Sequence, residues 1–243
     1  MGRVVFDIKR FVRSKHTYEQ NASIQRRMRY KLLDMLRLYG KLEFESIFEF
    51  GAGNGEFTQL LCGHIRYQSY ICNDINDYGL NPSLIPHMRY FVFDIAEIHS
   101  TPLWKMRFDL ITSNACLQWL DFRQTIGQLR QILAPNGLCL LSTFGQANCQ
   151  EVREITHYGL EYLSLEAIRE ILERYFEIIV LEEEKLCLQF SSPLEVFRHL
   201  KQTGVNALSH KAFLSKKMLE CYQARFHNTL TYHPIYMLLV YKS

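Results

Sequence analysis

The stretch from Ile47 to Phe57, IFEFGAGNGEF, restricts the fold more than any other part of the chain. The β-branched and aromatic residues up to Phe50 read as a buried strand, and GEFTQLLCGHI, beginning at Gly55, has the apolar spacing of a helix. Between them Gly51, Gly53 and Gly55 alternate with Ala52 and Asn54. Bare backbone between a strand and a helix is how open α/β sheets receive an extended ligand, at the carboxyl ends of their strands. Glycine serves there because it adopts positive φ without steric cost and lets another molecule approach the main chain.

The rest of the chain keeps this alternation. Apolar runs ESIFEF, YQSYICN, RYFVFD, FDLITSN and GLCLLSTF are separated by helical segments, FRQTIGQLRQILA being the most regular of them. Strand and helix in alternation predict an α/β fold with a largely parallel sheet covered on both faces. Pro135-Asn136-Gly137 predicts a sharp turn before the fifth strand. Thr17-Tyr18-Glu19-Gln20 has the form of a capping box, so a helix is expected from there through IQRRMRYKLLDML, packing on Ile24, Met28, Leu32, Met35 and Leu36. Ser164 is placed to cap LEAIREILERYF, and EIIVLEE and KLCLQF follow as strands. Ser192-Pro193-Leu194-Glu195 is a second capping box, with proline at the first helical position, opening PLEVFRHLKQT. LSKKMLECYQARF reads as a further helix, and IYMLLVY as the closing strand. The expected organisation is one domain over 1–243, with an N-terminal helical arm at 1–40 and a helical lid inserted at 191–228.

With 48% hydrophobic and 22% charged residues in 243, the composition is that of a globular protein with ample core. A net charge of +3 is too even for a dedicated nucleic-acid binder. No apolar run approaches the ~18 residues of a membrane span, and MGRVVFDIKRFVRSK lacks the apolar centre of an export signal. Seven cysteines, an odd number without a C-x-x-C pair, argue against a disulfide framework and against a metal site. Most of them sit in apolar runs, where cysteine behaves as a small hydrophobe. A cytoplasmic protein, a monomer without membrane or nucleic-acid partners, is expected.

A dinucleotide fingerprint would place its third glycine at position 56, where the chain has Glu56. The pattern present is Glu49-x-Gly51-x-Gly53-x-Gly55, which resembles the first motif of class I S-adenosylmethionine-dependent methyltransferases. The resemblance implies a Rossmann-like fold with a mostly parallel seven-stranded sheet, and S-adenosyl-L-methionine held against Glu49, Gly51, Ala52, Gly53 and Gly55. It further implies that Asp74, ending the second strand, accepts both ribose hydroxyls through charge-assisted bonds. Asp94, ending the third, would accept from the adenine amino group, with Ile95 and Ile75 against the ring. Asn114, after the fourth strand beside Ser113, would face the methionine portion. Singly each acid reads as a loop residue or helix cap; together they fall at successive strand ends.

Four further segments, TYEQNASIQRRM, SNACLQWL, FRHLKQTGVNAL and LTYHPIYMLLVY, are similar to the malonyl-[acyl-carrier protein] O-methyltransferases of biotin synthesis. With the first motif this resemblance spans nearly the whole chain, although that family often carries Asp and Cys where this chain has Glu49 and Ala52. It implies methyl transfer to the free carboxylate of a malonyl thioester on acyl carrier protein. A malonyl carboxyl of ordinary acidity, about 4, is ionised at neutral pH, so no catalytic base is expected, and none is assigned to His233. Arg198, on the inserted helix, is expected to fork onto the carboxylate, with Tyr18, Trp119, Tyr232 and His233 walling the acceptor pocket. Lys201, His210, Lys211, Lys216, Lys217 and Arg225 form a basic patch suited to an acidic carrier. Other readings stay open from residues alone: a methyltransferase of a small molecule such as a quinone precursor, a nucleic-acid methyltransferase, although Cys116 lacks the proline context of a covalent base-methylating nucleophile and is expected to pack behind the loop, and a cofactor-binding module without turnover.

Overall fold

In the computed structural model, residues 23–203 and 214–242 are described. The chain forms two compact units, one of Gln25–Phe144, Leu163–Glu183 and Pro234–Ser243, the other, among the described residues, of Ser23, Ile24, 145–162 and 184–233.

The larger unit is built on a seven-stranded sheet. Its strands are β1 (Glu43–Phe50), β2 (Arg66–Asp74), β3 (Met88–Val92), β4 (Phe108–Ser113), β5 (Leu133–Phe144), β6 (Phe176–Glu183) and, numbered after two short strands of the other unit, β9 (Pro234–Tyr241). Their spatial order is β3-β2-β1-β4-β5-β9-β6. The first five pair in parallel, while β9 runs antiparallel to both β5 and β6. Alternation sorts side chains between the faces. Phe48, Phe50, Ile71, Ile111, Cys139, Leu141, Met237 and Leu239 enter one core with Ile126, Leu129 and Ile132 of helix α3 (Phe122–Ile132) and Ile168, Ile171 and Leu172 of helix α5 (Leu165–Leu172). Ile47, Tyr70, Leu110, Leu140, Tyr236 and Leu238, of opposite parity, are equally buried, so both faces are covered. Helix α1 (Ser23–Tyr39) buries Met28, Leu32, Leu33 and Leu36, and its Lys31 pairs with Glu182 of β6 at 2.8 Å. The short helix α2 (Glu56–Cys62) follows the glycines. Ser164 caps α5 by accepting from Ala167 N–H, as the sequence predicts, and Asp121 caps α3 by accepting from Gln124 N–H.

The second unit contains helices α4 (Gln150–Thr156), α6 (Pro193–Thr203) and α7 (Lys216–Phe226), with an antiparallel pair of short strands, β7 (Leu186–Gln189) and β8 (Thr229–Tyr232). The helices expected within 191–228 are therefore bracketed by a two-stranded sheet, and residues 145–162 belong with them.

Two local expectations are altered. Pro135-Asn136-Gly137 does not separate helix from strand: β5 begins at Leu133, and the segment bulges out between the pairs Phe108↔Leu133 and Leu110↔Leu138, with Asn136 at φ 60°. The bulge absorbs a proline that cannot donate to the ladder. At the second capping box Ser192 Oγ accepts from Glu195 N–H at 3.4 Å, but the Glu195 carboxylate returns one residue early, to Ser191 N–H and Oγ. The capping box at Thr17 lies outside the described residues.

Candidate cofactor and acceptor site

The parallel strands β1 to β4 deliver their carboxyl ends to one edge of the sheet, and the chain crosses in opposite directions on either side of β1, the place where such sheets bind ligands. The three glycines of the loop after β1 have φ values of 65°, 56° and 80° at Gly51, Gly53 and Gly55. Their surroundings differ. A Cβ at Gly51 would lie 2.5 Å from Cys116 Sγ, and one at Gly55 2.6 Å from Leu80 Cδ2. A Cβ at Gly53 would meet nothing within 4 Å. Gly51 and Gly55 are thus bare for packing within the protein, whereas Gly53 turns its bare side to open space, the condition for a ligand to reach the main chain.

Asp74, the last residue of β2, joins this loop directly. Its Oδ2 accepts from Gly53 N–H at 2.9 Å and its Oδ1 from Asn76 N–H at 3.0 Å. A carboxylate has about four acceptor positions, so each oxygen keeps capacity for a hydroxyl. The next residue, Ile75, leaves 46% of its surface open, an apolar side chain beside the acid. Ile95, by contrast, is packed in the core and does not share that exposure. Asp94 is exposed and caps a 3-10 helix (Ile95–Ser100) by accepting from Ala96 N–H at 3.0 Å. Asn114 sits behind β4, where its Oδ1 accepts from Ser142 Oγ at 2.9 Å and its Nδ2 donates to the Gln25 carbonyl at 3.1 Å.

The matches to known proteins decide the family. A family model described as a methyltransferase domain matches residues 24–203. The malonyl-[acyl-carrier protein] O-methyltransferase of Calditerrivibrio nitroreducens is 35% identical over 91% of this chain and 91% of its own, and that of Haemophilus influenzae is 33% identical over 95% and 92%. This chain belongs to the malonyl-[acyl-carrier protein] O-methyltransferase family. More distant solved structures share the fold. A methyltransferase-like protein of Bacillus halodurans superposes with a TM-score of 0.62 at 12% identity, covering 87% of this chain and 99% of that one. The N-methyltransferase NodS of Bradyrhizobium japonicum, in complex with S-adenosyl-L-homocysteine, gives 0.53 at 16%, covering 93% and 99%. The fold is the class I methyltransferase fold expected from the sequence.

Within this family member, burial sets the protonation of the site. Glu49 lies beneath the glycine loop, 1% exposed, with the Tyr70 hydroxyl donating to Oε2 at 2.6 Å. Burial raises its carboxyl to about 7 against the opposing pull of that hydrogen bond. Asp74 is also raised by burial, and the main-chain donors of Asn76, Gly53 and Ile75 counter it. Cys116, half-buried and close against Gly51, has its thiol pushed up to about 12 by burial, which favours the protonated form at neutral pH.

In the second unit, Arg198 is exposed on α6. Tyr232 on β8 is buried, its hydroxyl 3.0 Å from His199 Nε2. His233 accepts from Ala147 N–H at Nδ1, 3.1 Å away, and its main-chain N–H donates to Asn148 Oδ1. In the basic patch Lys201 and Lys217 are exposed, while Lys216 faces Glu220 at 3.8 Å and Arg225 pairs with Glu154 at 2.6 Å. Trp119 is half-buried in a 3-10 helix (Leu117–Trp119) of the larger unit. Tyr18, His210 and Lys211 lie outside the described residues. Among those described, no group of His, Cys, Asp and Glu is placed to hold a metal ion, and no helix is long and apolar enough to cross a membrane. Cys116 and Leu80, which stand over Gly51 and Gly55, and Tyr70, which holds Glu49, carried no signal in the sequence because each acts through a contact distant along the chain.

Proposed function

We propose that this chain transfers the methyl group of S-adenosyl-L-methionine to the free carboxylate of a malonyl thioester on acyl carrier protein, giving the methyl ester used in biotin synthesis. The observation that carries the reading is the 35% identity to a malonyl-[acyl-carrier protein] O-methyltransferase over 91% of both chains, a span too long to be explained by the cofactor half alone. The open side of Gly53, the Asp74 carboxylate and exposed Ile75 support the cofactor assignment. Glu49, Gly51, Ala52, Gly53, Gly55, Asp74, Ile75, Asp94 and Asn114 are the proposed cofactor set; Ile95, packed in the core, leaves it.

The cofactor supplies an activated methyl group on a positively charged sulfur. The protein's task is to orient the acceptor and exclude water. The malonyl carboxyl, with a pKa of about 4, is already an anion at neutral pH, so no side chain removes a proton. Rate enhancement comes from holding one oxygen in line at near-attack distance and from stripping hydration that weakens a carboxylate nucleophile. Arg198 is the proposed anchor, since a guanidinium can hold two oxygens in a fixed plane. It must position the anion without occupying the attacking lone pair, because a saturated ion pair is a poorer nucleophile. Tyr18, Trp119, Tyr232 and His233 are the further residues proposed for the acceptor. The cations at Lys201, Lys211, Lys216, Lys217 and Arg225 steer the acidic carrier, by a field that falls with ionic strength. The working form is a cytoplasmic monomer.

The test is a competition. Purified protein is given the cofactor, malonyl-carrier protein and a phenolic quinone precursor at equal concentration. Methyl transfer to the malonyl carrier alone is expected; equal or preferred transfer to the phenol would overturn the acceptor assignment.

A further inference from the structure

We infer that the ion pair between Arg29 of α1 and Glu56, which opens α2 directly after the glycine loop, is a latch that fastens α1 to the end of the cofactor-binding loop and governs how tightly the cofactor is held. The inference rests on the reading that the loop binds S-adenosylmethionine. The two residues are positioning residues and do not take part in the transfer itself.

Glu56 occupies the place where a dinucleotide fingerprint has glycine, and its side chain has a partner 27 residues away, Arg29. Of the arginines Arg26, Arg27 and Arg29, the first two are exposed, whereas the Arg29 side chain is 13% exposed and that of Glu56 24%. A pair so far withdrawn from water is costly to break by removing one member. The same carboxylate stiffens the loop: Asn54 Nδ2 donates to Glu56 Oε1, and Glu56 N–H donates to Asn54 Oδ1, both at 3.4 Å. Asn54 stands between Gly53, which faces open space, and Gly55, which is held at φ 80°.

A second tie lies one helical turn away. Gln25, four residues before Arg29 and so on the same face of α1, gives its carbonyl to Asn114 Nδ2 at 3.1 Å. One face of α1 is thereby bonded to the loop after β1 and to the loop after β4, which meet at the ligand-binding edge of the sheet. The apolar residues Met28, Leu32 and Leu36 anchor the helix in the core, and they are indifferent to the loop's exact conformation. The Arg29–Glu56 pair is specific to it. When the pair is present the loop is held ready for the cofactor; without it the loop must be ordered at the expense of binding.

The experiment uses the full chain and S-adenosylhomocysteine as probe, with calorimetric Kd, KM for S-adenosylmethionine, KM for malonyl-carrier protein, kcat and Tm measured for Arg29→Ala, Glu56→Gln, the double variant and Arg29→Lys. Glu56→Gln keeps the shape of the side chain and its bonds to Asn54, which guards against a folding failure. Each single loss should raise Kd and the cofactor KM by about tenfold or more, with the acceptor KM unchanged. The double variant should be no worse than the more severe single, because the two report one interaction, and Arg29→Lys should recover part of the loss. A lowered Tm with unchanged Kd would make the pair a fold brace and overturn the latch, as would additive losses in the double variant. Failure of the wild-type chain to bind the probe at all would overturn the cofactor reading and the latch with it.

Discussion

Replacing Gly51 and Gly53 by alanine separates what the loop does for the fold from what it does for the ligand. Both residues have left-handed φ, 65° and 56°, where a Cβ costs about 1–2 kcal/mol. At Gly51 the new methyl would also stand 2.5 Å from Cys116 Sγ and 2.6 Å from Cys116 Cβ. Such overlap in a packed interior costs about 1–3 kcal/mol. The expected loss for Gly51→Ala is therefore about 2–5 kcal/mol, and for Gly53→Ala, where the Cβ meets nothing, about 1–2 kcal/mol. At this chain length 1 kcal/mol moves Tm by about 2–4 °C, so the two variants should differ clearly by calorimetry. In a Cys116→Gly background the cost of Gly51→Ala should fall to the backbone part, about 1–2 kcal/mol. Titration with S-adenosylhomocysteine should rank them the other way: Gly53→Ala, the better folded, should lose affinity by about tenfold or more, because its methyl occupies the space the ligand needs. Equal destabilisation by the two substitutions, or wild-type affinity in Gly53→Ala, would refute this division of labour.

Two further predictions follow from the site. Because burial raises the Glu49 carboxyl from 4.5 to about 7, the folded state holds that proton more firmly than the unfolded one. The stability this lends is complete below about 4.5, declines as pH rises and is lost above about 7, so Glu49→Gln, which still accepts from Tyr70, should gain on the wild type between pH 5 and pH 8 by at most about 3 kcal/mol. A Tm difference independent of pH over that interval would count against the buried acid. Arg198→Ala should raise the KM for malonyl-carrier protein by about tenfold or more while leaving the Kd for S-adenosylhomocysteine nearly unchanged, and Asp74→Ala should do the reverse. Equal effects of both on cofactor affinity would remove Arg198 from the acceptor half.

Features set by neighbours in sequence were legible before the structure. Periodicity located β1 to β6 and α3, short-range capping chemistry located the start of α5, and the acids at strand ends came from the same alternation. What was missed depends on distant partners. β8 is four residues, too short for a periodic signal, and exists because β7 pairs with it. Pro135-Asn136-Gly137 has the composition of a turn, yet tertiary pairing with β4 carries the strand through it as a bulge. Ile95 beside Asp94 reads as a ring contact by adjacency, but the first turn of its 3-10 helix rotates it into the core. Glu56 signalled only a missing glycine; its link to Arg29 appears once α1 is folded.

The most direct measurement follows the methyl group to its destination. Isotopically labelled S-adenosylmethionine is incubated with malonyl-carrier protein and with the same carrier whose free malonyl carboxyl is already an ethyl ester, at pH 6 to 9. The account predicts label only on the free acid, released as methanol by mild alkali. Label entering the blocked ester, or resisting alkali as a carbon-bound methyl group would, contradicts it.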